Sequence, residues 1–462
     1  MLSAQIDSIS GRRHLLILLI CVLIFLSACY LSAVNLLSSR SYDRTDFGKF
    51  YNSSLLFFSG NNIYEGWVYT SADLHQKTQS KPKLRLTNLN TPLLALIMLP
   101  FGWLSYSAAL WVWTIISLFA GVLSVLLLQR VFGNRQWSSS IILITGFFAY
   151  YPTFINISAG QVELITLLLL VVGWILGRQQ QDKWAGIVLG ISFSIKLFVG
   201  LFLILFLLRR QWRILKWMLI SVFVSALIAM LLMGKPVYWQ YLHVFEQVKW
   251  YSASWNASLY GFLMRVFGSP LEKNATLFYI PDLVSYLTVF GVGIIMWGML
   301  QVTRMQKENV KLQDWVKKYD LSFSYTIVAM LLISPLAWIY YFPSLILPLA
   351  VVAFYYKCQN ENQMLLLKGM LGVVLFLSGM PENSLKPHEI LSFSDIAWSS
   401  CFFYSLVLLL FLLWKTNKSI ERLNSPTDKT LAQFSLMHHL AWASVALLPS
   451  AMGIYRMLKD LS

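Results

Sequence analysis

Apolar stretches recur along this chain from end to end, many of them long enough for the roughly 20 residues a helix needs to span hydrocarbon. Leu15 to Val34 is the first, and others run near 105–128, 137–151, 161–177, 184–208, 217–233, 283–301, 321–340, 342–356, 364–380, 396–414 and 434–453. No soluble core absorbs so many. Charged residues make up only 12% of the sequence, about half the share found in a soluble domain. The chain must therefore bury its apolar surface in lipid and between helices. No long segment lacks the membrane signal. The expectation is an all-α polytopic membrane protein of about a dozen transmembrane helices, forming a single integral membrane domain over 1–462.

The charge balance, 36 Lys+Arg against 20 Asp+Glu for a net +16, suggests nucleic acid until its distribution is considered. Basic clusters such as Arg209-Arg210-Gln211-Trp212-Arg213 sit between apolar runs, as the positive-inside rule requires of cytoplasmic loops. No nucleic-acid partner is expected; membrane lipids are. Cys21, Cys29 and Cys401 lie in apolar runs and Cys358 beside a basic loop, with no disulfide or zinc spacing. Arg12, Arg13 and His14 ahead of Leu15 have the look of a secretory signal, and Leu26-Ser27-Ala28-Cys29 that of a lipoprotein cleavage box. The full-span length of the run and the multi-spanning remainder favour an uncleaved first helix.

With Arg12 and Arg13 in the cytoplasm, residues 35–90 form a first outer loop and 234–282 a second, larger one. Juxtamembrane helices are expected in these loops. The segment 91–104 begins at Pro92 and is short, so it lies in the interface or dips inward. The run 184–208 has basic residues at both ends and Lys196 in its middle. That pattern predicts two short helices meeting near Lys196. Arg304 to Lys318 reads as cytoplasmic.

This layout rests on hydrophobicity and Lys/Arg alone, yet it gathers the polar motifs on one side. Asp43 and Asp46 follow the first helix. Asn88, Asn90 and Pro92 open the next membrane segment. Asn156, Gly160 and Gln161 sit at an outer turn with Glu163 just beyond. Trp255, Asn256, Ser258 and Arg265 lie in the large outer loop, and Ser334, Pro335, Trp338, Tyr340 and Tyr341 at an outer helix end. Aromatic belts collect at any membrane interface, so Trp and Tyr alone say little. Charges at membrane depth say more, since each costs about 2.5–3.5 kcal/mol on insertion scales. Glu163 and Lys196 must face a wet cavity, a ligand or each other.

In this order the motifs resemble glycosyltransferase family 87, enzymes of the GT-C fold. Asp46-Phe47 with Tyr51 is similar to that family's acidic motif after the first helix. The string NLNTPLLALIMLPFGWLS from Asn88 resembles its Asn/Pro-rich second motif. Gly160-Gln161 opening a leucine-rich helix, followed by AGIVLGISFSIKLFVGLFLILFLLRR from Ala185, is the strongest match. Trp255-Asn256-Ala257-Ser258 with Arg265, and Ser334-Pro335 with Trp338, complete the set. The likeness covers about residues 45 to 345. One departure stands out: where the family often has a His after Ser-Pro…Trp, this chain has Tyr340 and Tyr341, which carry no positive charge at neutral pH. The resemblance implies a GT-C-like bundle. It also implies transfer of a hexose, most often mannose, from a polyprenyl-phosphate sugar donor to a lipid or glycan acceptor, with inversion. The enzyme would sit in the plasma membrane, a bacterial inner membrane, with its site facing the periplasm or exterior.

Inverting transfer needs one carboxylate to take the proton from the attacking hydroxyl. The leaving phosphate is already anionic and needs cations rather than a second acid. Asp46 is the expected base, with Asp43 its rival three residues earlier; the bland alternative is that Asp46 only caps a juxtamembrane helix. Lys196 and Arg265 are expected to hold the donor phosphate, while Arg209 and Arg210 set topology. Asn90, Gln161 and Asn256 are candidates for sugar or acceptor hydroxyls, with satisfaction of broken backbone as the alternative. Trp338, Tyr340 and Tyr341 complete the candidate sugar or acceptor site. No metal ligand set and no cofactor is expected, although the pattern leaves room for a divalent ion. The rival functions are a lipid or small-molecule transporter or flippase, a polysaccharide polymerase or ligase, and a non-catalytic assembly subunit.

Overall fold

The structure is a computed structural model describing residues 46–64, 88–132, 137–248, 250–268, 280–304, 312–356, 361–381 and 393–422. The expected spans 15–34 and 434–453, and Asp43, lie outside the described residues. Among the described residues every regular element is helical, apart from an isolated antiparallel bridge between Asn256 and Trp338.

The chain enters with α1 (Asp46–Phe58), whose first-turn acid suits the positive end of a helix. Next comes α2 (Pro92–Met98), continued by a 3-10 turn over Leu99–Trp103. The Thr91 side chain caps α2 by accepting from the Leu94 amide at 3.4 Å, and Pro92 occupies the first turn, where its missing N–H costs nothing. A long helix follows, α3 (Tyr106–Val131), capped by Ser105. The pair α4 (Trp137–Ala149) and α5 (Tyr151–Ala159) bends by 64° at Tyr150, because Pro152 cannot continue the hydrogen-bond ladder of α4.

Then come α6 (Glu163–Arg178), α7 (Asp182–Ile195), a 3-10 turn (Leu197–Gly200), α8 (Leu201–Leu208) and α9 (Trp212–Met233). The break falls at Lys196, whose backbone is extended, with φ −135° and ψ 112°. Helices α7 and α9 pack closely because Gly186 and Gly190 present no side chain: an added Cβ would lie 2.5 Å from the Ile214 carbonyl oxygen and 2.6 Å from that of Met218. This small-xxx-small contact suits helix pairing in lipid, where packing rather than apolar burial drives association.

The second half holds α10 (Val237–Val244), α11 (Leu259–Phe267), α12 (Pro281–Thr303), α13 (Leu312–Ile333), α14 (Ile346–Tyr355), α15 (Glu361–Ser378), α16 (Phe393–Ser399) and α17 (Cys401–Arg422). Helix α13 is the axis of the core, buried throughout from Lys318 to Leu332. The expected 321–340 helix ends sooner, at Ile333, because Pro335 disfavours the α conformation at Ser334 and supplies no N–H. A 3-10 turn over Ile339–Leu345 then leads into α14.

By length and composition α3, α9, α12 and α17 can cross a membrane, and the bent α4–α5 pair would make a fifth span. Shorter apolar helices at Pro92–Trp103, Leu197–Leu208, Ile339–Tyr355 and Asn362–Ser378 accompany them. A dozen full spans is thus not reached among the described residues, since several apolar runs are broken by Pro or at Lys196. The outward faces of α9 and α12 are apolar, with Phe223, Leu231, Tyr286, Val289 and Phe290 all largely exposed. Lipid is the medium that such faces require. The protein is an integral membrane bundle.

Two polar clusters occupy opposite ends of α6, whose 16 residues extend about 24 Å. At its C-terminal end, buried Asp320 accepts from Trp174 Nε1 at 2.8 Å and Tyr355 OH at 2.6 Å and pairs with Arg178 at 3.3 Å. Arg209 donates to Ser322 at 3.1 Å beside it and stacks over Tyr319. Arg209, assigned to topology in the sequence reading, thus lies beside this cluster. The other end of α6 begins at Glu163.

Candidate active site

At that end a cavity of about 430 Å³ opens between α1, α2, the Gly160 turn, the Lys196 break and the loop after α13. Its polar wall includes Asp46, Lys49, Asn90, Gln161, Lys196, Trp338 and Tyr341. Its apolar wall includes Leu197, Leu201, Ile204, Phe245 and Ile333.

Asp46 stands at the first position of α1 with both oxygens engaged. Oδ1 accepts from Lys49 Nζ at 2.6 Å, one helical turn along, and Oδ2 accepts from Gln161 Nε2 at 2.5 Å. Burial acts to raise the Asp46 pKa, but the charge and hydrogen bond of Lys49, the hydrogen bond of Gln161 and the charge of Lys196 outweigh it. The carboxyl is held below its ordinary value, ionised at neutral pH.

Gln161 is aimed by Gly160. That residue ends α5 in the left-handed region, φ 66° and ψ 35°, and its amide bonds to the Ile157 carbonyl. Only glycine meets both demands here, because a Cβ would lie 2.6 Å from Phe47 Cβ. Trp113 Nε1 donates to the Gly160 carbonyl at 2.8 Å and fixes the turn from α3. The turn therefore packs against the residue next to Asp46. Gln161 Oε1 is buried with no hydrogen-bond donor among the described residues.

Lys196 is delivered by the helix break. Its Nζ lies 3.4 Å from Glu163 Oε1, and it sits 5.0 Å from the Tyr341 ring centroid. The Ile195 carbonyl, orphaned by the break, accepts from Thr91 Oγ1 at 3.1 Å. Asn90 joins through Asn88: Asn88 Oδ1 accepts from the Asn90 amide at 3.1 Å and from its side chain at 2.7 Å. Asn88 in turn donates to Ser53 of α1 at 2.7 Å. Trp338 stacks near Tyr341 and edge-on to Trp255, its Nε1 without an acceptor among the described residues.

Of the residues singled out in the sequence, Asp46, Asn90, Gln161, Lys196, Trp338 and Tyr341 thus line one cavity. Three do not. Asn256 is fully buried and spends its side chain on structure: it donates to the Tyr251 and Pro335 carbonyls and accepts from the Ser258 and Ala337 amides. Arg265 is also buried and donates to the Ala253 and Asn256 carbonyls and to Ser400. It braces the 250–268 loop from behind instead of facing the cavity. Tyr340 lies outside the lining, its carbonyl accepting from Asn156 at 3.0 Å. Lys49 was missed. Its spacing of three from an acid at a helix start carried the signal, because such residues share a face.

The sequence model of glycosyltransferase family 87 matches residues 88–312 of this chain, a region that includes Asn90, Gln161 and Lys196 and begins after Asp46. The chain is also 24% identical, over 404 residues, to the polyprenol-phosphate-mannose-dependent alpha-(1-2)-phosphatidylinositol mannoside mannosyltransferase of Mycobacterium tuberculosis. That similarity covers 83% of this chain and 86% of the relative.

Proposed function

We propose that this protein, a membrane glycosyltransferase of family 87, moves a hexose from a polyprenyl-phosphate donor to a lipid or glycan acceptor on the extracytoplasmic face, with inversion. Mannose is the favoured sugar, on the strength of the donor in the relative's name. The observation that carries the reading is the ionised Asp46, held by Gln161 and sharing one cavity with Lys196 and an apolar wall.

In this mechanism the acceptor hydroxyl approaches Asp46, and its oxygen attacks the anomeric carbon from the face opposite the phosphate. The O–H bond breaks and its proton passes to the carboxylate. The C1–O bond to phosphate breaks at the same time, and the polyprenyl phosphate leaves with the electron pair. Lys196 stabilises the growing charge on that phosphate. Gln161 and Asn90 offer hydrogen bonds to sugar or acceptor hydroxyls, and Trp338 and Tyr341 supply flat apolar surface for a sugar ring. Leu197, Leu201 and Ile204 receive the first isoprene units. The base needs no raised pKa, because the hydroxyl grows acidic as its oxygen bonds to carbon.

Radiolabelled polyprenyl-phosphate hexoses offered to membranes with and without the protein test the reading. Protein-dependent, Asp46-dependent transfer from the mannosyl donor is expected. No transfer from any polyprenyl-phosphate hexose would remove the donor class, and labelling of cysteines near Asp46 from the cytoplasm would reverse the assigned side.

A further inference from the structure

The proposed reaction leaves a charge problem. Around the cavity Asp46 pairs with Lys49, and Glu163 behind it pairs with Lys196, so the charges balance. A bound phosphodiester adds one negative charge, and bond cleavage turns it into a monoester carrying about −1.5 to −2 at neutral pH. Lys196 cannot meet this alone, being paired with buried Glu163. Arg265 is turned away into the 250–268 loop. Among the described residues, the second cation lining the cavity is Lys49.

The two ion pairs are built differently. The Glu163–Lys196 pair is enclosed, its side chains 2% and 10% exposed. The Asp46–Lys49 pair is looser, at 18% and 21%, and spans one turn of α1. A lysine on a flexible four-carbon stem at such a site moves to a stronger anion with little cost. Lys49 also weakens the base where it stands, since its ammonium donates to Oδ1 of the carboxylate that must take the acceptor proton.

We propose that Lys49 is a phosphate-binding residue that leaves Asp46 for the donor phosphate, so that donor binding itself frees the base. The inference rests on the polyprenyl-phosphate reading above. In this structure Lys49 and Asp46 neutralise each other. When the donor enters, Lys49 and Lys196 flank its phosphate, Asp46 Oδ1 opens towards the acceptor, and Gln161 keeps Oδ2 in place. On transfer the acceptor proton goes to Asp46, the electron pair of the C1–O bond goes to the phosphate, and two ammonium groups hold the product. Donor must then bind before acceptor. The titratable and charged groups facing Asp46 are Lys49 on its own helix, Lys196 at the break, Glu163 of α6, and Tyr341 after α13. Lys49 is the one whose departure most strengthens the base.

The test compares wild type, Lys49→Met and Lys49→Arg in purified full-length protein, using a radiolabelled polyprenyl-phosphate hexose. Lys49→Met should raise the donor KM about tenfold or more, and Lys49→Arg should restore most of it. In wild type the acid limb of kcat, which reports the donor-bound enzyme, should lie at higher pH than that of kcat/KM for the acceptor-free, donor-free enzyme. In Lys49→Met the two limbs should converge. A lysine that only pairs with Asp46 would give coincident wild-type limbs that shift upward together in Lys49→Met, with the donor KM unchanged. An unchanged donor KM or coincident wild-type limbs overturns the proposal, as does acceptor-first binding order. Thermal stabilisation by unsubstituted polyprenyl monophosphate gives a second reading that needs no turnover: it should shrink in Lys49→Met and be kept in Lys49→Arg, and equal stabilisation of all three overturns the role. Failure of wild type to transfer from any polyprenyl-phosphate hexose fails the donor reading instead.

Discussion

Gln161 Nε2 and Asp46 Oδ2 are 2.5 Å apart across 115 positions of chain. One residue follows a left-handed glycine at the end of α5, and the other opens α1. Neither helix alone makes a site. Their meeting fixes one carboxylate oxygen and leaves the other to the Lys49 ammonium, so the carboxylate is held in orientation. Preorganisation of this kind is what places a proton acceptor within reach of an attacking hydroxyl.

Substitution Asp46→Asn should remove transfer, with kcat falling about 10²–10⁴-fold as expected for a lost general base, while expression and detergent-extracted monodispersity stay close to wild type. Gln161→Leu should cost less, roughly tenfold or somewhat more in kcat/KM, since it removes one charge-assisted hydrogen bond worth about 1.5–3 kcal/mol. Steady-state kinetics on both proteins provide the measurement. Full activity in Asp46→Asn would move the base elsewhere.

The pH dependence follows from the ion pair. Although burial works against it, Lys49, Gln161 and Lys196 hold the Asp46 pKa below its ordinary value. A depressed carboxylate stabilises the fold above its ordinary pKa and loses that contribution only as pH falls through the lower folded value. The Asp46 contribution to stability, and its limb in kcat/KM, should therefore be flat between about pH 7 and pH 5. An acid limb in kcat/KM centred above pH 5 that shifted in Asp46→Glu would contradict this.

Gly160→Ala tests the turn. The left-handed φ of 66° and the 2.6 Å approach to Phe47 Cβ leave no room for a methyl group. Destabilisation of about 1–3 kcal/mol is expected from the strained backbone, together with loss of transfer, because Phe47 adjoins the base. Thermal unfolding and transfer should fall together.

Lys196→Met leaves Glu163 buried without its partner, which costs about 3–5 kcal/mol for an enclosed ion pair. The double substitution Lys196→Met with Glu163→Gln should recover much of that stability and none of the transfer. Melting temperature and donor turnover separate the two effects. Recovery of turnover in the double variant would assign the pair to structure alone.

Asn256→Ala removes one donor and one acceptor that join the 250–268 loop to the Pro335–Ala337 segment, and a second donor bond to Tyr251 within the loop. Each buried partner left unpaired costs about 1–3 kcal/mol. Trp338 lies next to that seam, bridged to Asn256. Lower melting temperature and a raised KM, with kcat less affected, are expected.

Much of this was legible in the sequence, because lipid imposes simple rules. Apolar runs announce helices, the break at Lys196 announced itself by a charge inside such a run, and Asp46, Gln161 and Lys196 stood in an order resembling one family. Pro152 and Pro335 mark where helices bend or stop, although the stop at Ile333 came earlier than hydropathy suggested. Periodicity does not reveal which polar side chain faces a cavity and which faces a carbonyl. Asn256 and Arg265 look like site residues in one dimension and prove to be braces of a loop, while Lys49 looks like an ordinary surface lysine and lines the cavity. Hydrophobicity and backbone chemistry are local properties that the sequence carries by itself. The choice of partner for each polar group depends on contacts between segments more than a hundred residues apart, and only the packed structure decides it.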